Sequence, residues 1–435
     1  MQDVTLDVYV TLLNIGFFMD SFVIKGPTTL AGEVDISGSK NAALPIMTAC
    51  LARPGIYTLN NVPDLIDTRT MLKLLKIIGC DVSKNLNTLT IDSRNCNNPE
   101  APYDLVKTMR ASFYVLGPLL SRFKYAKVSL PGGCAWGPRP IDYHLTSFEA
   151  LNANVDLSSG YIITKGDLKG GEIKFPKSSV GATGNVIMAC INLTDEVVIK
   201  NAAMEPEIVD LCNFLSQIGV HFEGIGTDTL KVKGSKFKND IRLDYTIIPD
   251  RIEAGTFMIA CAATGGKVTL NKVNANHLKV VSESLIKCGV QIIEDDSKIT
   301  VISNGDIKPC NVSTDIYPGF PTDLQAQWIA LMCKAKGESY ITDTIYHDRF
   351  THVPELARLG ADIKMNDNQA IINGVSNLYG ANTMSTDIRA SASLIIAGLF
   401  SDGITNLSRI YHIDRGYEKI ELKLQKLNAN IKRVN

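Results

Sequence analysis

Apolar and polar residues follow one another in a phrase that recurs six times along this chain: a strand, an amphipathic helix that ends in a short turn, and further strands. Each helix ends at Gly or Asn, the residues that most easily adopt the left-handed backbone conformation behind a helix. These positions lie 67 to 73 residues apart and are Gly79, Asn152, Gly219, Gly289, Gly360 and Asn428. The pattern predicts six repeated α/β units of about 70 residues.

A second helix of a different kind is predicted in every unit. Its residues are mostly Ala, Ser, Met and Leu, and after the first turn they carry almost no charge. A helix that is apolar on all sides belongs in the interior of a protein. The six predicted inner helices are Ala42–Leu51, Ala111–Leu120, Ala182–Ile191, Ile252–Ala262, Leu324–Met332 and Ala390–Phe400. Three units per domain is the natural division, because buried helices can cluster inside a shell of sheets.

Length and composition agree with an ordinary globular protein of two domains. The chain has 435 residues, more than one hydrophobic core usually serves. Its net charge of −1 argues against nucleic-acid and anionic-membrane partners, which select for excess Lys and Arg. The 10 cysteines form no C-x-x-C pair, so we predict reduced thiols and a cytoplasmic location.

The first residues differ from the rest. Residues 1–19 are apolar, carry Asp3 and Asp7, and lack the basic start of a secretory signal. Clear strand patterning begins only at Phe22. We predict that residues 1–19 are an extension outside the repeats, either untranslated or disordered.

Charged residues gather where the inner helices begin. Lys40 and Asn41 precede the first inner helix, Arg110 the second and Arg389 the sixth. A helix N-terminus already attracts anions, so cations placed there are unfavourable unless an anion binds. The arrangement predicts a cleft for a ligand with several phosphates or carboxylates. Asp323 and Asp387, at two other starts, fit plain N-caps as well as functional groups.

Other phosphate and metal sites are not indicated. The chain lacks a G-x-x-x-x-G-K-[ST] loop and a G-x-G-x-x-G fingerprint, and its histidines show no metal-ligand spacing with Cys. We therefore predict no cofactor and no metal.

One loop carries a thiol in unusual surroundings. In residues 130–140, Gly and Pro flank Cys134 on both sides, and Arg139 follows five residues later. A nearby guanidinium lowers the pKa of a thiol and favours its reaction. By local chemistry alone, a reactive thiol and an incidental loop cysteine fit this segment equally well.

Five ordered segments give the chain a specific resemblance. They are Gly38-Ser39-Lys40-Asn41-Ala42, Pro131-Gly132-Gly133-Cys134, Phe320-Pro321-Thr322-Asp323-Leu324-Gln325-Ala326-Gln327, Thr386-Asp387-Ile388-Arg389-Ala390 and His412-Ile413-Asp414-Arg415-Gly416-Tyr417. Together they resemble the enolpyruvyl transferase family, and within it the branch that acts on UDP-N-acetylglucosamine. The shikimate branch shares the six-unit architecture but lacks the Pro-Gly-Gly-Cys loop. The resemblance runs from about Phe22 to the C-terminus.

The resemblance implies an α/β fold of two inside-out α/β barrel domains, each of three units, with the active site in the interdomain cleft. One domain would comprise residues 41–248, and the other residues 20–40 together with 249–435. Thr183-Gly184-Asn185 departs from the usual Ala-Thr-Val run, so the start of the helix on the diphosphate side is expected to differ.

Roles also follow from the resemblance. Cys134 would protonate the methylene carbon of phosphoenolpyruvate and would be the thiol that fosfomycin alkylates. Asp323 would be the base near the sugar 3′-hydroxyl, and Asn41 would contact the reacting centre. Lys40, Arg139 and Arg415 would hold the phosphate and carboxylate of phosphoenolpyruvate. The implied substrate-binding residues are Arg110, Arg139, Pro140, Ile141, Asp142, Tyr143, Lys177, Ser178, Ser179, Val180, Gly181, Ile345, Arg349, Asp387 and Arg389.

The implied reaction transfers the enolpyruvyl group of phosphoenolpyruvate to UDP-N-acetylglucosamine through a tetrahedral intermediate, with release of phosphate. It is the first committed step of peptidoglycan precursor synthesis, and it requires no oligomer. Three alternatives remain at this stage: the same transfer to shikimate 3-phosphate, a clamp-like nucleic-acid protein, and a non-catalytic paralogue or binding protein. The near-neutral charge disfavours the clamp, and the intact Lys40, Cys134, Asp323 and Arg415 disfavour the silent paralogue.

Overall fold

The computed structural model describes residues 20–107, 109–130, 141–236 and 241–434, apart from the side chain of Arg110. The predicted extension 1–19 and the residues Cys134, Arg139 and Pro140 therefore lie outside the described residues. The strands are β1 Ser21–Gly26, β2 Leu30–Asp35, β3 Gly55–Asn60, β4 Asp81–Asn85, β5 Thr88–Asp92, β6 Glu100–Ala101, β7 Tyr125–Ser129, β8 Asn154–Ser158, β9 Tyr161–Lys165, β10 Gly171–Lys174, β11 Glu196–Lys200, β12 His221–Glu223, β13 Thr229–Lys233, β14 Ile241–Thr246, β15 Gly266–Asn271, β16 Gln291–Asp295, β17 Lys298–Ser303, β18 Val312–Ser313, β19 Glu338–Thr342, β20 Asp362–Asn366, β21 Gln369–Asn373, β22 Asn382–Met384, β23 Gly403–Ser408 and β24 Asn430–Val434.

The α-helices are α1 Lys40–Ala49, α2 Ile66–Ile78, α3 Tyr103–Val106, α4 Leu116–Phe123, α5 Asp142–Ala150, α6 Val180–Ala189, α7 Pro206–Gln217, α8 Arg251–Thr264, α9 Lys279–Lys287, α10 Gln325–Met332, α11 Val353–Arg358, α12 Ile388–Phe400 and α13 Ile420–Lys426. Short 3₁₀ helices are Arg110–Val115, Ala275–Leu278, Thr322–Leu324 and Ile410–Arg415. Every helix within the described residues is too short or too polar to cross a bilayer.

Six four-stranded sheets repeat one design. In each sheet an edge strand pairs in parallel with its neighbour, and the remaining two pairings are antiparallel. The sheet orders are β14-β3-β5-β4, β6-β7-β9-β8, β10-β11-β13-β12, β16-β17-β15-β2, β18-β19-β21-β20 and β22-β23-β1-β24. The predicted sixfold repeat is therefore confirmed, and the last sheet is completed by the N-terminal strand β1.

The turns behind the amphipathic helices have the predicted backbone conformation. All six positions have φ between 70° and 103°, the left-handed region. They are Gly79, Asn152, Gly219, Gly289, Gly360 and Asn428. Gly and Asn enter this region at little cost, which explains why these two residue types mark the repeat.

Two clusters of buried apolar side chains fill the interior of the molecule. The central cluster is formed within residues 42–247, and the terminal cluster within residues 22–36 together with 252–431. Helices α1, α4 and α6 lie in the central cluster, and α8, α10 and α12 lie in the terminal cluster. These clusters accord with three units each, while the domain boundaries given above stay a prediction.

The structure confirms that the inner helices are buried, but some of their boundaries differ from the prediction. Helix α1 begins at Lys40 itself, and α6, α8 and α12 likewise begin one or two residues before the predicted start. The predicted continuous helix Ala111–Leu120 is wrong, because a 3₁₀ helix over Arg110–Val115 precedes α4. Pro118 gives the physical reason: proline lacks the N–H that an α-helix interior needs, but it fits the first turn of α4.

The chain passes between the two clusters in two antiparallel segments. The N–H of Ser39 donates to the carbonyl of Ile248 at 2.8 Å, and that of Asp250 donates to the carbonyl of Ser37 at 2.8 Å. A Cβ on Gly38 would lie 1.7 Å from the carbonyl oxygen of Asn61, so this crossing has no space for a side chain. The crossing places the start of α1 between the clusters.

A buried carboxyl group anchors this crossing. Asp210 of α7 accepts a 2.6 Å hydrogen bond from the hydroxyl of Tyr245 and a 3.4 Å bond from the N–H of Ile248. Burial raises the pKa of Asp210 to about 6, although the Tyr245 hydroxyl favours the ionised form. The folded protein therefore binds the proton of Asp210 more tightly than the unfolded chain does.

We expect Asp210→Asn to change how stability depends on pH. Because the folded pKa is raised, the wild type loses stability as pH rises from the ordinary 3.8 to about 6, and the neutral amide does not. At about 1.4 kcal/mol per pKa unit, the free energy of unfolding of the wild type should fall by about 2 kcal/mol relative to Asp210→Asn over this interval. Urea unfolding at several pH values measures the difference. Asp244→Asn, exposed on the same strand as Tyr245, should instead parallel the wild type, and parallel curves for Asp210→Asn would contradict the assignment.

Candidate active site

Lys40 and Arg415 meet on one carboxylate. Asp67 accepts a hydrogen bond from Lys40 Nζ at 3.1 Å and another from Arg415 Nε at 2.9 Å. The Asp67 side chain is only 4% exposed, whereas that of Arg415 is 32% exposed. Burial opposes ionisation of Asp67, but the two cations outweigh it and lower the pKa of this carboxyl. Two of the three predicted phosphoenolpyruvate-binding cations are thus held together although they lie 375 positions apart in the chain.

Asp67 was missed by the sequence analysis, although the sequence contains a signal for it. Asp67 lies in the first turn of α2, and its buried neighbours on the same face are Met71, Leu74, Leu75 and Ile78. The spacing of i, i+4, i+7, i+8 and i+11 puts the carboxylate on the apolar face of the helix. A charged residue on a buried face needs an ionic partner, and this rule would have identified it.

Asp323 is held by two arginines. Arg389 Nη2 lies 2.6 Å from one carboxylate oxygen and Arg349 Nη2 lies 2.8 Å from the other. Burial would raise the pKa of Asp323, but Arg389 and Arg349 hold it well below its usual range. Asp323 lies within the 3₁₀ helix Thr322–Leu324 and does not cap a helix, so the N-cap alternative is wrong for this residue.

Asp387 does act as a helix cap. Its carboxylate accepts hydrogen bonds from the N–H groups of Arg389 at 2.7 Å and Ala390 at 3.2 Å, at the start of α12. By fixing this start, Asp387 also fixes the backbone of Arg389, which contacts Asp323. The cap reading is confirmed, and a direct substrate contact of Asp387 stays a prediction.

The buried hydroxyl of Tyr417 connects the Asp323 pair to the Arg415 segment. Arg389 Nη1 donates to it at 3.3 Å and Gln327 Nε2 donates to it at 3.2 Å, while Thr256 Oγ1 lies 2.8 Å away. Tyr417 follows Arg415 by two residues, so one short segment contributes to both charged groups. Lys40, Asp323 and Arg415 are therefore parts of one connected region.

The two segments predicted to grip the sugar nucleotide lie next to each other. Tyr143 stacks on Phe175, with ring centroids 6.1 Å apart, and a Cβ on Gly181 would lie 3.4 Å from the His144 ring. Asp142 and Lys177 are exposed. Ile141, Ser178, Ser179 and Val180 are half-buried. The Ser179 hydroxyl accepts from the N–H of Ala182 at 3.3 Å and caps α6.

Asn185, within the segment that departs from the family pattern, joins three inner elements. Its Oδ1 accepts from the N–H of Gly117 at 2.7 Å, its Nδ2 donates to the carbonyl of Phe113 at 3.1 Å, and Nδ2 lies 3.1 Å from His144 Nδ1. The Asn185 side chain that makes these three contacts is fully buried. Asn185 therefore links α6 to the elements that contain Phe113, Gly117 and His144, while an altered helix start relative to the family stays a prediction.

Ile345 and Asn41 complete the described part of the site. The N–H of Ile345 donates to Asp343 at 3.0 Å, and Asp343 also accepts from the Thr322 hydroxyl at 2.7 Å. Thr322 in turn accepts from Arg349 at 3.1 Å, so three hydrogen bonds separate Ile345 from Arg349. The Asn41 side chain is exposed at the second position of α1, directly after the buried Lys40.

The expectation of uncompensated cations at the helix starts is wrong for the side chains that the structure describes. Lys40 and Arg415 share Asp67, and Arg349 and Arg389 share Asp323. Each group carries two cations and one carboxylate, so each retains one net positive charge. The region still favours an anion, but it is already organised by its own counter-ions.

Comparisons with known proteins show which family the chain resembles. A family model described as EPSP synthase (3-phosphoshikimate 1-carboxyvinyltransferase) matches residues 24–424. A UDP-N-acetylglucosamine 1-carboxyvinyltransferase from Pelodictyon phaeoclathratiforme is 49% identical over 419 residues, 95% of this chain and 98% of the relative. Its counterpart from Geotalea daltonii is 49% identical over 417 residues, 96% of this chain and 100% of the relative. The chain belongs to this family of transferases. The resemblance stated from the sequence is confirmed.

Solved enolpyruvyl transferase structures show the same fold. The enolpyruvyl transferase NikO from Streptomyces tendae superimposes with a TM-score of 0.86 at 22% identity, over 96% of this chain and 99% of that one. An EPSP synthase from Acinetobacter baumannii has a TM-score of 0.73 at 17% identity, over 96% and 100% of the two chains. The predicted fold class is therefore confirmed.

We expect Tyr417→Phe to destabilise this transferase measurably. The change removes a buried hydroxyl from three polar neighbours and leaves Arg389 Nη1 and Gln327 Nε2 each with one partner fewer. An unsatisfied buried polar group costs about 1–3 kcal/mol, so the free energy of unfolding should fall by this amount. Urea denaturation checks it. Tyr379→Phe, at a tyrosine that is 59% exposed, should change stability by no more than about 0.5 kcal/mol, and an equal effect of both variants would contradict the role of the buried hydroxyl.

Proposed function

We propose that this chain transfers the enolpyruvyl group of phosphoenolpyruvate to the 3′-hydroxyl of UDP-N-acetylglucosamine and releases phosphate, in peptidoglycan precursor synthesis. The observation that carries the proposal is the meeting of Lys40 and Arg415 on Asp67, connected through Tyr417 to an ionised Asp323. This arrangement combines anion-binding cations with a carboxylate that can accept a proton. The 49% identity to the UDP-sugar enzymes supports that acceptor over shikimate 3-phosphate.

The two cations would bind the phosphate and carboxylate of phosphoenolpyruvate. Arg415 contacts Asp67 through Nε, and its two Nη groups are outside this contact. Lys40 Nζ uses one of three N–H donors on Asp67. Charge-assisted hydrogen bonds from both side chains would hold the anion and stabilise the negative charge on the phosphate as it leaves.

Asp323 would accept the proton of the sugar hydroxyl. Arg349 and Arg389 keep Asp323 ionised at neutral pH, so its carboxylate can accept a proton. They also make it a weak base, which cannot deprotonate an unreacted alcohol. Proton transfer would therefore accompany C–O bond formation, when the hydroxyl becomes strongly acidic. Cys134 would donate the proton that the methylene carbon gains.

Further site assignments belong to the same proposal. Asn41 would hydrogen-bond at the reacting centre without changing the charge there. Arg110, Arg139 through Tyr143, Lys177 through Gly181, Ile345, Arg349, Asp387 and Arg389 would contact the sugar nucleotide or line the cleft. We place the protein in the cytoplasm, in agreement with the nine cysteines that are free among the described residues.

Phosphate release identifies the acceptor. We expect the protein to release phosphate from phosphoenolpyruvate with UDP-N-acetylglucosamine and not with shikimate 3-phosphate, because the close relatives act on the UDP-sugar. A coupled phosphate assay with each acceptor, and with neither, measures this. Release with the shikimate compound alone would refute the proposed acceptor.

A substitution of the thiol tests the proton donor. Cys134→Asp should retain measurable turnover, since a carboxyl group can donate a proton, and should resist fosfomycin, since a carboxylate is not alkylated in the same way. Cys134→Ala should lose turnover and is the matched control. Initial rates with and without fosfomycin decide the matter. Equal fosfomycin sensitivity of Cys134→Asp and the wild type would show that another residue is the target.

A further inference from the structure

Asp67 occupies a position that neither the motifs nor the transferase chemistry assigns. Its carboxylate lies between the start of α1, in the central cluster, and Arg415, whose segment packs on the terminal cluster. Each carboxylate oxygen contacts a different cation: Oδ2 accepts from Lys40, and Oδ1 accepts from Arg415. One buried group therefore fixes both cations at once.

Without this carboxylate the two cations would repel each other. Lys and Arg side chains have many rotamers, so each of them needs a fixed partner to remain in one place. Asp67 provides that partner and accepts only one hydrogen bond from each cation. Both Nη groups of Arg415 and two N–H groups of Lys40 therefore stay available to a ligand. The retained donors suit an anion with two acidic groups.

A second buried acid, Glu207, joins the two clusters with a single cation. Joining the clusters therefore does not explain why Asp67 binds two cations. Glu207 is the second residue of α7, as Asp67 is the second residue of α2, so the two acids occupy the same helical position. Its carboxylate lies 3.0 Å from Nε of Arg251, at the start of α8. Glu207 thus joins the clusters through one cation, whereas Asp67 joins two cations.

We infer that Asp67 is a positioning residue, which holds Lys40 and Arg415 at a fixed separation so that their free N–H groups bind one molecule of phosphoenolpyruvate. The inference rests on the proposed function, since it assigns that anion to these cations. Asp67 contacts the cations and not the substrate. Its effect should therefore appear in the affinity for the anion and not in the affinity for the sugar nucleotide.

Asp67→Asn tests the inference by steady-state kinetics. The amide can accept from one cation only, and its NH₂ group faces the other, so the pair should lose its order. We expect the KM for phosphoenolpyruvate to rise at least tenfold, while the KM for UDP-N-acetylglucosamine stays within twofold. Asp67→Glu should recover part of the loss because it keeps a carboxylate. A purely structural role would lower activity or melting temperature without this selective change in KM.

Asp64→Asn is the matched control. Asp64 precedes Asp67 by three residues and also holds one lysine and one arginine, with Lys84 at 2.5 Å and Arg69 at 2.7 Å, but its side chain is 33% exposed. Both KM values of Asp64→Asn should stay within twofold of the wild type. Glu207→Gln removes the other cluster-joining acid and should not raise the KM for phosphoenolpyruvate selectively. A similar selective rise in either variant would overturn the inference.

Calorimetric titration with phosphoenolpyruvate alone separates this inference from the proposed function. If the wild type releases no phosphate with the UDP-sugar, the proposed function fails, but at least tenfold weaker binding to Asp67→Asn still supports the positioning role. Equal affinity of the wild type and Asp67→Asn overturns the inference even if the wild type is active. A wild type that neither binds phosphoenolpyruvate nor releases phosphate overturns both.

Discussion

Carboxylates held between pairs of cations are the interaction on which the site depends. Asp67 holds Lys40 and Arg415, and Asp323 holds Arg349 and Arg389. In the buried pair of Lys40 and Asp67, removing one partner should cost about 3–5 kcal/mol, because the remaining charge is left without compensation. The site therefore cannot be assembled from its cations alone: each cation remains at the cleft because a carboxylate beneath it pairs with its charge.

The repeat explains how such carboxylates come to lie between the clusters. Asp67 and Glu207 stand at the same point of two amphipathic helices, where the apolar face continues into the first turn. In both cases the acid is buried and its cation comes from the other cluster. A negative charge in the first turn is also favourable to the helix dipole, so this position tolerates an acid better than any other on the buried face.

The six repeated units could be predicted from the sequence because each unit is marked by residue patterns that act over short distances in the chain. Left-handed turns need Gly or Asn, and inner helices need freedom from charge; both rules act within a few residues and both held. These two rules did not predict the break before α4: it precedes Pro118, whereas Pro45 lies inside α1 without ending that helix. By contrast, spacing marks Asp67 as a buried acid that needs a partner, but it does not reveal that the partners are Lys40 and Arg415. Ion pairs across 348 positions depend on how the units pack, and neutral composition gives no hint of them.

Tyr417 shows how the two charged groups act as one site. Its hydroxyl contacts Arg389, which holds Asp323, and its backbone lies two residues from Arg415, which is held by Asp67. The segment that carries Arg415 therefore also helps to fix Arg389, the partner of Asp323. Since Asp323 is a weak base while two arginines hold it, any loosening of Arg389 raises the pKa of this carboxylate and improves it as a proton acceptor. The Tyr417 hydroxyl, which holds Arg389, therefore helps to set the pKa of Asp323 from the same segment that carries Arg415.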